Sequence, residues 1–192
     1  MTLPTYKTST LNVLVRNARY DYWSSRLCSI VETYFELYKL KQSTTLYHIK
    51  NLNLHEETKI YKNQTSWNND LPGVEIQLVN LNDMHFFFHE MKHAYQFEIG
   101  EISFGIEGKS DSNGLMDFYD EVDAYNRGSL FGSTIKAETH ANQSLNKTTR
   151  VSSTTFFSSF PNDSDIQKYS DDHLLYFKAN DNLYTPTTIP SE

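Results

Sequence analysis

The chain has 192 residues, 38% of them hydrophobic and rich in Tyr and Phe, enough for one folded domain with a sizeable core. Its formal charge of −7, with no Lys/Arg cluster to offset it, excludes broad contact with nucleic acid or an anionic membrane. No apolar run is long enough to span a bilayer, and the single cysteine, Cys28, excludes an internal disulfide.

Met1 to Thr10 is polar and lacks the apolar segment of a signal peptide, which leaves a cytoplasmic location or delivery within a larger protein. Residues 11–40 read as helical, with Leu11, Leu14 and Val15, then Leu27, Ile30, Val31, Tyr34 and Leu37 at helical spacing. The polar stretch Asp21–Ser25 is where this segment would divide into two helices. Thr44–Leu54 alternates as an extended segment, and Thr58–Lys62 offers a second one. A polar turn, Ser66–Gly73, leads to Val74-Glu75-Ile76-Gln77-Leu78, a half-buried strand with Val74, Ile76 and Leu78 on one face.

Asn82 or Asp83 can cap the next helix, which runs over Met84–Phe97 and stops at Gly100. Residues 99–116 hold four of the seven glycines and read as a mobile connection. Asp117 to about Gly128 is helical. After Thr134 the chain turns rich in Ser, Thr and Asn, with strand-like runs at Thr154–Phe157 and His173–Lys178. Residues 1–184 form one domain and 185–192 a loose tail.

The chemistry centres on His89-Glu90-Met91-Lys92-His93, an H-E-x-x-H pattern inside a predicted helix. Residues four apart lie on one helix face, so both imidazoles can point at one ion. A catalytic zinc needs three protein ligands and an open position for water, and Glu90 is placed to take a proton from that water. Composition yields the pattern by chance in only about one such chain in sixty. The third ligand can come from the following helix, where Asp117, Glu121, Ala124 and Gly128 form one stripe. The small Ala124 and Gly128 allow that helix to approach closely and favour Glu121 as the ligand, with Asp117, Asp120 and His140 as alternatives. Asp117 could instead accept a hydrogen bond from a ligand imidazole. His48, His55 and His85 read as ordinary, Tyr95 as core, and His173 as a surface or structural residue.

The residues His89-Glu90-x-x-His93-Ala94-Tyr95 and Asp120-Glu121-Val-Asp-Ala124-Tyr125-Asn-Arg-Gly128 resemble the gluzincin branch of zincin metallopeptidases. In detail they are similar to compact metallopeptidase domains of bacterial effectors and polymorphic toxins, over about residues 74–132. Gln96 and Ile99 stand where the longer metzincin motif has Gly and His, so that class is excluded. The resemblance implies zinc, peptide hydrolysis, His89, His93 and Glu121 as ligands, and Glu90 as general base. It also implies a protein or peptide substrate and an inhibitor or immunity protein as partner. No motif identifies an oxyanion-stabilising residue; Tyr125 and His140 are the candidates.

The expected fold is α+β and zincin-like: N-terminal helices, a small mixed sheet, an active-site helix beneath it and a second helix carrying the third ligand. Val74–Val79 would be the edge strand on which an extended substrate pairs. The alternative is a zincin-like binding module without catalysis, against which the intact Glu90 argues.

Overall fold

The computed structural model describes residues 8–52, 62–106, 115–132, 141, 156–158 and 160–187. In chain order the elements are α1 (Thr8–Gln42), β1 (Tyr47–Asn51), β2 (Gln64–Asn68), β3 (Gly73–Leu78), α2 (Met84–Glu98), β4 (Ser103–Gly105), α3 (Phe118–Ser129), α4 (Asp163–His173), β5 (Leu175–Ala179) and β6 (Asn182–Tyr184). The fold is α+β, with four helices and two small sheets among the described residues.

The N-terminal helices are one. α1 passes through Asp21–Ser25 without a break, because no Gly or Pro interrupts it and its polar side chains there are exposed or half-buried. Its apolar positions also do not face the core as their spacing suggested. Val15, Leu27, Ile30, Val31 and Tyr34 are exposed, and the buried positions are Thr33, Glu36 and Leu40. The reason is a polar docking face: Arg127 from α3 donates to Ser29 O (2.5 Å), Thr33 Oγ1 (2.7 Å) and Glu36 Oε1 (2.9 Å). Lys92 from α2 donates to the same Glu36 oxygen at 2.7 Å, so a single carboxylate ties α1 to both other helices.

The first sheet has the order β1-β3-β2 and is mixed, β1 running parallel and β2 antiparallel to β3. Val74, Ile76 and Leu78 are fully buried, and Glu75 on the other face is buried too. β3 is therefore the central strand, paired on both sides. This corrects the expectation of an edge strand at Val74–Val79; the edges are β1 and β2, and β2 is the one beside the cleft.

β2 itself takes in Ser66, Trp67 and Asn68, which read as turn from sequence, and the true turn is Asn69–Pro72. A strand of composition Gln-Thr-Ser-Trp-Asn lacks the alternation that marks a strand locally. It is held instead by its ladder to β3 and by Trp67, which stacks on Tyr176 of β5 at 4.5 Å. The Thr58–Lys62 segment lies outside the described residues except for Lys62, which is not in a strand.

The second sheet, β4-β5-β6, is antiparallel. β4 occupies part of the stretch that read as a mobile connection, and Ile102, Phe104 and Ile106 anchor it in the core. β5 separates two apolar clusters by strand alternation: Tyr176 packs with Val74, Ile76 and Phe97, while Leu175, Phe177 and Ala179 pack with Phe157 and Ile166 of α4. Lys178 shares the Tyr176 face and reaches Glu98 of α2 at 2.8 Å, both side chains buried. Glu98 also accepts from Ser43 and Tyr47 hydroxyls, each at 2.7 Å, so the buried charge is well partnered.

α4 was not expected. Its sequence, Asp-Ser-Asp-Ile-Gln-Lys-Tyr-Ser-Asp-Asp-His, is polar, and only Ile166 and Ser170 are buried. Asn162 caps it by accepting from the Asp165 amide, and His173 ends the helix rather than lying in a strand. Of the Thr154–Phe157 run only Phe156 and Phe157 are described, in a helical turn. The presumed tail begins in contact with the domain: Thr187 donates to Asp171 Oδ1 through its amide (2.7 Å) and its hydroxyl (3.0 Å).

Candidate metal centre

α2 starts where the sequence placed it. Asp83 is the N-cap, its carboxylate accepting from the Phe86 amide at 3.3 Å, and Gly100 adopts a left-handed φ of 73° just past the end. Within this helix His85, His89 and His93 succeed one another at four-residue spacing, and all three are buried.

α3 begins with a capping box: Asp117 accepts from the Tyr119 and Asp120 amides, and Asp120 Oδ2 accepts from the Asp117 amide at 2.8 Å. This settles what Asp117 and Asp120 do locally, since both carboxylates close the start of the helix. Glu121, one residue on, is free of the cap and half-buried on the side facing α2.

The two helices approach closely because α3 presents no side-chain bulk at the crossing. Ala124 is fully buried, and a Cβ on Gly128 would lie 2.5 Å from the His85 carbonyl oxygen.

That approach gathers three donor groups. His89 Nε2 and His93 Nε2 lie 3.2 Å apart, Glu121 Oε1 is 3.5 Å from His93 Nε2, and Glu121 Oε2 is 3.6 Å from His89 Nε2. Tetrahedral zinc with donors at about 2.0–2.2 Å holds them about 3.3–3.5 Å from one another. The spacing therefore fits one small cation at the centre of the triangle. His89, His93 and Glu121 also form the group of metal-capable side chains among the described residues. His140 lies outside the described residues.

Gln96 completes this arrangement and was not singled out from sequence. Its Oε1 lies 2.8 Å from His93 Nδ1, and its Nε2 donates to Asp120 O at 3.0 Å. With the amide nitrogen facing that carbonyl, Oε1 must face the imidazole, so His93 Nδ1 carries a proton and Nε2 is the nitrogen turned to the triangle. The acceptor that orients a histidine is thus Gln96 and not Asp117. His89 Nδ1 is buried with no hydrogen-bond partner. His85 is not ordinary in one respect: it is buried with neither ring nitrogen bonded, wedged against Gly128 and Gly132.

Burial and charge set the protonation of the group. Burial, reinforced by the His93 charge, pushes His89 down to about 3. Burial acts in the same sense on His93, but the Glu121 carboxylate outweighs it and raises that histidine to about 8. Burial raises the Glu90 carboxyl to about 7, against the pull of His93 and of the Thr65 hydroxyl. Thr65 Oγ1 lies 2.9 Å from both Glu90 Oε2 and Glu90 O. Thr65 is a second residue missed from sequence, since nothing near it marks β2 as the strand beside the motif.

The triangle opens into a cleft of about 660 Å³, lined by Gln64 and Thr65 of β2, by the apolar Val79, Phe86, Phe104 and Met116, and by Glu90 and Tyr125. The Tyr125 ring packs edge-on against His89 at 4.3 Å, and burial holds its phenol above the usual range. His48 and Tyr95 stay outside the cleft, Tyr95 packed on the core as expected. The arrangement brings two imidazoles, one held neutral and one held charged by its neighbours, two carboxylates of different basicity and a phenol to one apolar-walled groove.

Comparison of the chain with protein-family models, with curated proteins and with solved structures finds no match in any of the three.

Proposed function

We propose that this protein is a zinc-dependent peptidase of the zincin type, with His89, His93 and Glu121 as metal ligands and Glu90 as general base. The observation that carries this reading is the donor cluster: the two Nε2 atoms lie 3.2 Å apart, one Glu121 oxygen lies 3.5 Å from His93 and the other 3.6 Å from His89, distances that suit one small cation, with Glu90 in the same cleft. The resemblance over residues 74–132 points the same way, and the effector or toxin reading rests on that resemblance and on the small size of the chain.

When bound, zinc supplies a Lewis acid and lowers the pKa of a coordinated water to about 7. The chain's own residues do the rest. The Glu90 carboxylate takes a proton from the attacking water and passes it to the leaving amine. A carboxyl poised near 7 serves both transfers, being basic enough to accept and acidic enough to donate. Thr65 fixes one Glu90 oxygen, and Gln96 fixes the His93 ring. Tyr125, protonated at neutral pH, is the donor in the cleft for the carbonyl oxygen as it gains charge. An extended peptide would lie along β2, whose outer edge carries no ladder partner among the described residues.

Elemental analysis of the purified protein tests the site. About one zinc per chain is expected, with His89→Ala and Glu121→Ala each losing most of it. Glu90→Gln should keep its zinc and lose hydrolysis of a denatured protein substrate by a factor of at least about 10³. A wild-type protein that takes up no zinc after supplementation would sink the metal reading, and full activity in Glu90→Gln would sink the mechanism.

A further inference from the structure

α1 is 35 residues long, about 50 Å, yet it docks on α2 and α3 through one narrow polar face: Ser29, Thr33 and Glu36, with Arg26 donating to Leu130 O. About a third of a turn round from that face runs a second stripe. Tyr20, Trp23, Leu27, Ile30 and Tyr34 follow one another at alternating intervals of three and four residues, and Leu37 continues the series. This is the spacing of a helix–helix seam. The five residues are between 39% and 72% exposed, so no other described part of the chain covers them. Val31 and Tyr38, also exposed, widen the stripe on the side away from the domain.

We propose that a second copy of this chain covers the stripe, the two α1 helices packing antiparallel about a two-fold axis between Cys28 and Ser29. Such an interface presents the same patch from both sides and must complement itself. About that axis Tyr20 meets Leu37 of the other copy, Trp23 meets Tyr34, and Leu27 meets Ile30, so every seam residue finds an apolar partner. Arg16 and Lys41 occupy the next positions of the same series at either end, where they reach water and bound the contact. Antiparallel packing also sets the positive end of each helix dipole beside the negative end of the other.

The area is sufficient. With aromatic side chains of about 150–250 Å² each, the exposed part of the five seam residues comes to roughly 600 Å² per copy. A pair would then bury about 1,200 Å², at the lower end of stable interfaces. An apolar stripe of this size is at the upper end of the largest patch that a monomeric protein ordinarily leaves in water.

Sedimentation equilibrium of the full chain over the micromolar to high-micromolar range tests the association. The expected result is a monomer–dimer equilibrium whose dissociation constant rises at least about a hundredfold in the double variant Leu27→Glu, Ile30→Glu. Both positions lie off the docked face, so that variant keeps its helical circular dichroism and, at protein concentrations below the wild-type dissociation constant, its urea midpoint, which separates lost pairing from lost folding. Spin labels report the orientation: in a Cys28→Ser, Gln42→Cys variant the two labels should lie about 40 Å apart, against about 10–20 Å for parallel helices. A wild-type chain that stays monomeric at high concentration overturns the proposal, as does a dimer that the double variant leaves intact. A short distance at position 42 overturns the antiparallel arrangement. None of these readouts depends on zinc.

Discussion

Glu90 is pulled in two directions: burial raises its carboxyl, and the His93 charge, with the Thr65 hydroxyl after it, draws it back. The Thr65 hydroxyl, 2.9 Å away, stabilises the ionised form. Thr65→Val removes that donor, so the carboxyl should rise further and the acidic limb of the pH–rate profile should move to higher pH. Zinc content should stay as in wild type, since Thr65 touches no proposed ligand. Gln96 works on the other side of the triangle. Gln96→Ala takes away the acceptor that holds His93 Nδ1–H and the side-chain donor to the Asp120 carbonyl. Zinc affinity, measured by competition with a chromophoric chelator, should fall about 10–100-fold. Both residues escaped the sequence reading for the same reason: a Thr in a polar strand and a Gln in a helix have no pattern of their own. Their roles exist only through the groups that the fold brings to them.

At the level of elements, the site depends on how near α3 comes to α2. A methyl group on Gly128 would meet the His85 carbonyl at 2.5 Å, and main chain there cannot swing aside. Gly128→Ala should therefore cost about 1–3 kcal/mol in urea unfolding and weaken zinc binding by moving Glu121 outward. The docking of α1 is separable from this. Glu36 accepts from both Lys92 and Arg127, so Glu36→Ala leaves two largely buried cations without their shared anion. A loss of about 3 kcal/mol is expected in the same assay. The start of α2, the capping of α3 and the small-residue stripe were readable because helical signals are local and repeat every turn. β2 and α4 were not, because each has few apolar residues and is held by partners outside its own segment: Trp67 by Tyr176, Ile166 by the cluster that holds Phe157 and Leu175.

For the molecule as a whole, zinc held as proposed at the triangle would be linked to unfolding. A ligand held only by the folded state stabilises it by about 4 kcal/mol at a thousandfold excess over its dissociation constant. Stripping the metal with a chelator should lower the melting temperature, and the His89→Ala variant should melt at the same temperature with or without chelator. The sequence by itself determined the parts that rest on helix geometry. Four-residue spacing puts His89 and His93 on one face, Glu90 travels beside them, and Asp83 and Gly100 bound the helix that carries them. It also narrowed the third donor to one short acidic segment and His140. The small-residue stripe already favoured Glu121 within that segment, and the tertiary structure added why Asp117 and Asp120 differ from it: those two carboxylates are engaged at the cap while Glu121 faces the histidines. Only the tertiary structure made β3 central and β2 the edge beside the cleft, and laid the apolar positions of α1 outside the core. The physical reason is range. A helix fixes the relation of residues within a turn or two, whereas strand order and the packing of one helix on another depend on contacts between segments that the sequence keeps far apart.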